Sequence, residues 1–108
     1  MKLKSDLKNK IVVITGGAGL IGKGFVRAVV ENGGTAIIAD IDEFSGNKVK
    51  DEISKELATD KIDFIKVDIT SREAIQGMID VIIKKHKMID ALVNNAYPRN
   101  KNYGKKFE

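Results

Sequence analysis

Ile11-Val12-Val13-Ile14-Thr15-Gly16-Gly17-Ala18-Gly19-Leu20-Ile21-Gly22 runs from a short apolar stretch into glycines, and from the glycines directly into a helical pattern. A buried strand, a tight glycine turn and a helix N-terminus in that order suit an anion. The unpaired N–H groups of the first helical turn and the positive end of the helix dipole face it, and glycine lets the backbone come close. The diphosphate of a dinucleotide is the anion this arrangement serves in doubly wound α/β proteins. A Gly-x-x-Gly-x-x-Gly string is common by itself. Its place between strand and helix gives it weight.

Working outward, two periodicities alternate. Near-continuous apolar runs at 11–14, 35–39, 62–67 and 89–93 are rich in Ile and Val, as expected for strands buried on both faces of a parallel sheet. Between them lie amphipathic segments. Ile21, Phe25, Ala28 and Val29 share one helical face, and Asn32-Gly33-Gly34 stops that helix. Val49, Ile53 and Leu57 form the second face, and Ile75, Met78, Ile79 and Ile82 the third, with Thr70 and Glu73 spaced as a capping box. The order is βαβαβαβ with short links. Right-handed crossovers then make the first strand central, with the chain reversing direction across the sheet at the fourth.

With 108 residues the chain is one domain at most. It has no Cys, which excludes a disulfide framework and thiolate metal sites and accords with a reducing compartment. No stretch approaches about 18 apolar residues and the N-terminus has no signal-peptide core, so a cytoplasmic location and no membrane partner are expected. The net charge of +4 arises from lysines spread over both ends and the helix faces, interleaved with 15 acids. That is a solvated surface rather than the stripe with aromatics that nucleic acid requires, so no nucleic-acid partner is expected.

Asp40 ends the second apolar run, eighteen residues beyond Gly22. A carboxylate there accepts from adenosine ribose hydroxyls and repels a 2′-phosphate. Ile41, Asp42 and Glu43 follow it with no basic residue, so NAD is expected over NADP. Helix capping is the competing role, and Asp42 could fill it equally well. Asp68, after the third run, could meet an adenine amino group or form the turn before Thr70; the residues leave these even. Asn94 and Asn95 close the fourth run, where consecutive Asn side chains could hold the strand end and line the cofactor floor; turn formation, the ordinary role of Asn, is favoured from the residues alone. His86, the single histidine, sits among Lys84, Lys85 and Lys87 at a helix end, where solvation or a dipole contact is expected and no carboxylate partner is implied. No metal site is expected.

Taken together, Thr15 to Gly22, Asp40, Val67-Asp68-Ile69 and Leu92-Val93-Asn94-Asn95-Ala96 resemble, in order and spacing, the N-terminal half of short-chain dehydrogenases/reductases across residues 5–97. The resemblance implies that Gly16, Gly19 and Gly22 bear on the diphosphate, with Leu20 and Ile21 between them, and that Asp40 holds the ribose beside Ile41. It places Asp68 and Ile69 at adenine, and Asn94 and Ala96 beside the nicotinamide-side ribose. The glycine spacing departs from the common Thr-Gly-x-x-x-Gly-x-Gly and is similar to that of the extended branch, which often acts on sugar nucleotides. Tyr97 stands where the family has Gly after Asn-Asn-Ala.

Tyr97-Pro98-Arg99-Asn100-Lys101 imitates the family's catalytic Tyr-x-x-x-Lys. That chemistry needs both residues one turn apart on a helix, and Pro98 opposes a helix there. No catalytic residue is therefore assigned in this chain. The expectation is a Rossmann-like α/β half-domain over 1–97, with 98–108 a basic polar tail beginning a missing C-terminal half. Its function would be the cofactor-binding portion of an NAD-dependent oxidoreductase acting on an alcohol or ketone, inactive alone, with NAD and a small-molecule substrate as partners of the full-length protein and room for a homo-oligomer. The competing expectation is a non-catalytic nucleotide-binding or regulatory module completed by a partner chain.

Overall fold

The computed structural model describes residues 6–95, which form four strands and three helices in strict alternation. The elements are β1 (Ile11–Thr15), α1 (Leu20–Glu31), β2 (Thr35–Asp40), α2 (Glu43–Glu56), β3 (Ile62–Lys66), α3 (Arg72–His86) and β4 (Ala91–Asn94). The strands are parallel in the order β3-β2-β1-β4. The first strand is thus internal and the fourth lies on its far side, the Rossmann-like arrangement expected from the alternating pattern. Membrane-length apolar helices are absent among the described residues.

Alternation along β1 and β2 sorts the core into two layers, because successive side chains point to opposite faces. Val12, Ile14, Ala36 and Ile38 pack with Val26 and Val29 of α1 and Val49 and Ile53 of α2. Ile11, Val13, Ile37 and Ala39 pack instead with Met78 and Ile82 of α3. Every residue of β1 is buried, so the apolar run continues without the polar alternation of a half-exposed strand. Burying one such Ile or Val fully contributes about 1.5–3 kcal/mol relative to leaving it in water.

Four local expectations give way to the structure. The buried face of α1 is Gly22, Val26 and Val29, whereas Ile21 and Phe25 are exposed. The glycine turn sets this rotation: Gly22 rests against the Gly16 carbonyl, where a Cβ would lie 2.1 Å from the oxygen. Residues one position earlier are consequently turned about 100° away. Ser71, not Thr70, caps α3, its hydroxyl accepting from the Ala74 N–H at 3.1 Å. Thr70 is occupied by Asp68, to which its own N–H and hydroxyl both donate.

The fourth strand is the third departure. Its residues read exposed, exposed, half-buried, exposed, and Leu92 is 59 % accessible. Among the described residues it pairs with β1 alone, so its apolar character is not matched by burial on both faces. His86 also differs from expectation, since its ring lies 2.9 Å from the Asp63 carboxylate on β3. Burial works to raise the Asp63 carboxyl, but hydrogen bonds from Lys85 and then His86 outweigh it and hold the group below its ordinary value.

Candidate functional site

The C-terminal ends of β1 and β4 mark the point where the strand order reverses, and outside it lies the crevice where open α/β sheets take ligands. β1 ends at Thr15, and the chain turns at Gly16 with φ 69°, a left-handed conformation that a side chain would strain. The Gly16 N–H donates to the Ala39 carbonyl at 2.8 Å, and the Gly19 N–H closes the turn on the Gly16 carbonyl at 3.1 Å. Gly17 lies against β2, where a Cβ would come within 2.9 Å of the Ile38 side chain.

Gly19 is different. It is the N-cap of α1 in ordinary extended geometry, and a Cβ there would meet nothing nearer than 3.5 Å. The fold therefore has no internal need for glycine at this position. As a glycine, the N-cap gives α1 no side-chain acceptor, and the first turn carries no acid. The backbone N–H groups of the helix start are thus not met by their own cap residue. Leu20 and Ile21 open the helix, 90 % and 68 % exposed.

At the tip of β2, Asp40 is half-buried. One carboxylate oxygen accepts from the Ala18 N–H of the glycine turn at 3.2 Å and the other from the Asp42 N–H at 2.9 Å. Asp42 is itself the cap of α2, accepting from the Ser45 N–H at 3.0 Å and its hydroxyl at 2.7 Å. Those bonds hold the Asp42 carboxyl below its ordinary value. Capping thus falls to Asp42, and Asp40 faces the glycines. Ile41 lies between them, exposed.

Asp68 is exposed and accepts from Thr70 twice, through the hydroxyl at 2.6 Å and the N–H at 2.9 Å, which lowers its carboxyl below the usual range. It forms the turn into α3. Ile69 packs against the core layer beneath α3. Asn94 sits opposite Thr15 in the sheet register and accepts from its hydroxyl at 3.2 Å. Ala96 and the Tyr97–Lys101 motif lie outside the described residues.

Thr15 and Asn95 lie at the same end of the sheet; sequence reasoning assigns Thr15 no separate role and considers the paired Asn residues for holding the strand end. The buried Thr15 hydroxyl accepts from the Asn95 N–H at 2.9 Å, and the Asn95 side-chain amide donates to the Gly16 carbonyl at 3.3 Å. Together they lace the end of β4 to the glycine turn. The signal in the residues is a hydroxyl ending a strand that is otherwise wholly aliphatic, and two consecutive Asn residues whose side chains must point to opposite faces.

A parallel sheet with a glycine turn at its switch point and an uncapped helix start defines the class of nucleotide-binding α/β proteins. Residues 10–103 match the family described as short chain dehydrogenase. The chain belongs to that family. It is 37 % identical over 99 residues to the post-translational flagellin modification protein A of Campylobacter coli, covering 92 % of this chain and 38 % of that protein. Among solved structures, an NAD+-bound xylitol dehydrogenase superposes with TM-score 0.77 at 26 % identity, over 86 % of this chain and 35 % of that one. The C-domain of a bacterial malonyl-CoA reductase with NADP superposes with TM-score 0.83 at 25 % identity, over 90 % and 16 %. The chain therefore spans well under half the length of these relatives.

Proposed function

We propose that this chain is the NAD-binding portion of an oxidoreductase that moves a hydride between nicotinamide and the carbon of an alcohol or ketone. One observation carries the reading. Glycine stands at the N-cap of α1 without any steric need for it, at a helix start with no acid and no side-chain cap, beside the Asp40 carboxylate. A backbone surface kept clear in this way suits a diphosphate, and the neighbouring carboxylate suits a ribose diol.

When bound, the cofactor supplies the hydride chemistry itself. The chain's own part is to hold and aim. The first-turn N–H groups of α1 receive the diphosphate, with the helix dipole adding to the attraction. Asp40 accepts from the ribose hydroxyls with its remaining lone pairs and opposes a 2′-phosphate by charge, which supports NAD over NADP. Asp68 and Ile69 border the adenine side and Asn94 the nicotinamide side, where the family resemblance also assigns Ala96. No residue of this chain is assigned to proton transfer, so the 108 residues should bind without turning over. A sugar or polyol substrate accords with the glycine spacing and with the xylitol dehydrogenase likeness.

Calorimetric titration of the full chain with NAD+ and NADP+ tests the reading. Binding of NAD+ with weaker binding of NADP+ is expected, and D40A should weaken the former and narrow the difference. A folded protein that responds to neither dinucleotide overturns the proposal.

A further inference from the structure

The geometry points to a second task for Asp40: its carboxylate holds the glycine turn in shape before any dinucleotide arrives. The turn is fastened to the tip of β2 at two points. One is the bond from the Gly16 N–H to the Ala39 carbonyl, which is backbone on both sides. The other is the bond from the Ala18 N–H to Asp40 Oδ2 at 3.2 Å, which exists only because a side-chain acceptor stands there.

That second point falls where the chain is softest. Gly17 and Gly19 flank Ala18, so the peptides on either side of it have the widest choice of backbone angles in the turn. Gly19, one residue on, is the cap whose geometry aims the first N–H groups of α1, and it has no side chain with which to hold itself. Meanwhile Oδ1 accepts from the Asp42 N–H at 2.9 Å, so rotating the carboxylate away from Ala18 would break a second bond as well. The tip of β2, the glycine turn and the start of α2 are joined through one side chain. Asp40 is thus a positioning residue for the anion-receiving turn, in addition to the ribose contact. The geometry stands alone, and its meaning for binding rests on the cofactor reading above.

The test is amide hydrogen exchange by NMR on the 15N-labelled full chain without ligand. D40A should speed exchange at Ala18 by about tenfold or more, the scale of a hydrogen bond to a charged acceptor, while Gly16, bonded to backbone, keeps its rate. Equal exchange at Ala18 in both proteins overturns the inference. Should D40A fail to fold, D40N decides the same point. It keeps an oxygen acceptor but removes the charge that roughly doubles the strength of such a bond, so exchange at Ala18 should rise several-fold while Gly16 keeps its rate. An unchanged Ala18 rate overturns the inference. An NAD+ titration of the unaltered chain is scored separately: its failure removes the cofactor reading and leaves the exchange result in place.

Discussion

α1 and α3 begin and end at comparable places around the same sheet, yet their termini are finished in opposite ways. α3 opens on Ser71, whose hydroxyl caps it, with Glu73 in the first turn, and closes on Lys84, Lys85 and His86. Its dipole is answered at both ends. α2 likewise starts on the Asp42 cap with Glu43 beside it. α1 opens on a glycine without a side-chain cap, has no acid in its first turn and no base in its last. The fold thus satisfies two helix starts with side-chain oxygens of their own cap residues, and the third, at the switch point of the sheet, has none. That difference supports the proposed diphosphate position more sharply than the glycine count does.

The contrast between the helices breaks most severely at Gly22. A Cβ there would lie 2.1 Å from the Gly16 oxygen and 2.7 Å from the Gly17 Cα, both backbone atoms that cannot swing aside. Gly22→Ala should therefore destabilise by about 3 kcal/mol or more, at or beyond the upper end of overpacking costs, and urea unfolding measures it. Gly24, two residues on in the same helix, has open space at its Cβ position. Gly24→Ala should stabilise by about 0.5–1 kcal/mol through helix propensity. If both variants lose stability alike, the tight approach of α1 to the turn is wrong.

Giving α1 the finish of α2 is the next test. Gly19→Asp would meet only ordinary contacts and would set a carboxylate where Asp42 stands in α2. The helix should gain a few tenths of a kcal/mol from the cap. NAD+ affinity should fall by at least about tenfold, because a fixed negative charge would occupy the place proposed for the diphosphate. Unchanged affinity in a folded Gly19→Asp protein would separate the dinucleotide from this helix start.

Much of this is legible in the residues. The alternation of Ile/Val runs with 3.6-residue patterns specifies all seven elements and the strand order, because a parallel sheet covered on both sides leaves few other solutions. The rotation of α1 is not legible. Ile21 and Phe25 are the more apolar choice, but contact between Gly22 and the Gly16 carbonyl fixes the helix regardless, and such a contact is invisible to periodicity. Nor can spacing distinguish Thr70 from Ser71 as cap, since the outcome turns on Asp68 engaging Thr70 first. In the site, Asp40 and the glycines are readable from position, whereas Asn95 reaches Gly16 across 79 residues of sequence.

Removing the finish from α3 has a smaller effect. Ser71→Ala deprives the Ala74 N–H of its acceptor, and about 1 kcal/mol of stability should be lost. Dinucleotide binding should be unchanged, because this helix start faces the protein's own hydroxyl rather than a ligand. A loss of NAD+ affinity comparable to that of Gly19→Asp would mean that the two helix starts are not functionally distinct.

The smallest effect is expected at the other end of α3, where Lys85 and His86 donate to Asp63 on β3. The Asp63 carboxyl is held below its ordinary value in the folded chain. The sign follows from linkage: unfolding raises the group's proton affinity, so its contribution is complete above the ordinary carboxylate value of about 4 and disappears as pH falls through the lower folded value. The pair is partly open to solvent, which limits the contribution to about 0.5 kcal/mol. Asp63→Asn should therefore flatten the acid limb of the stability curve, measured as thermal midpoint against pH from about 6 down to about 3. An acid limb as steep as that of the unaltered chain would show that the C-terminal finish of α3 contributes nothing, and the contrast with α1 would then rest on the N-terminal caps alone.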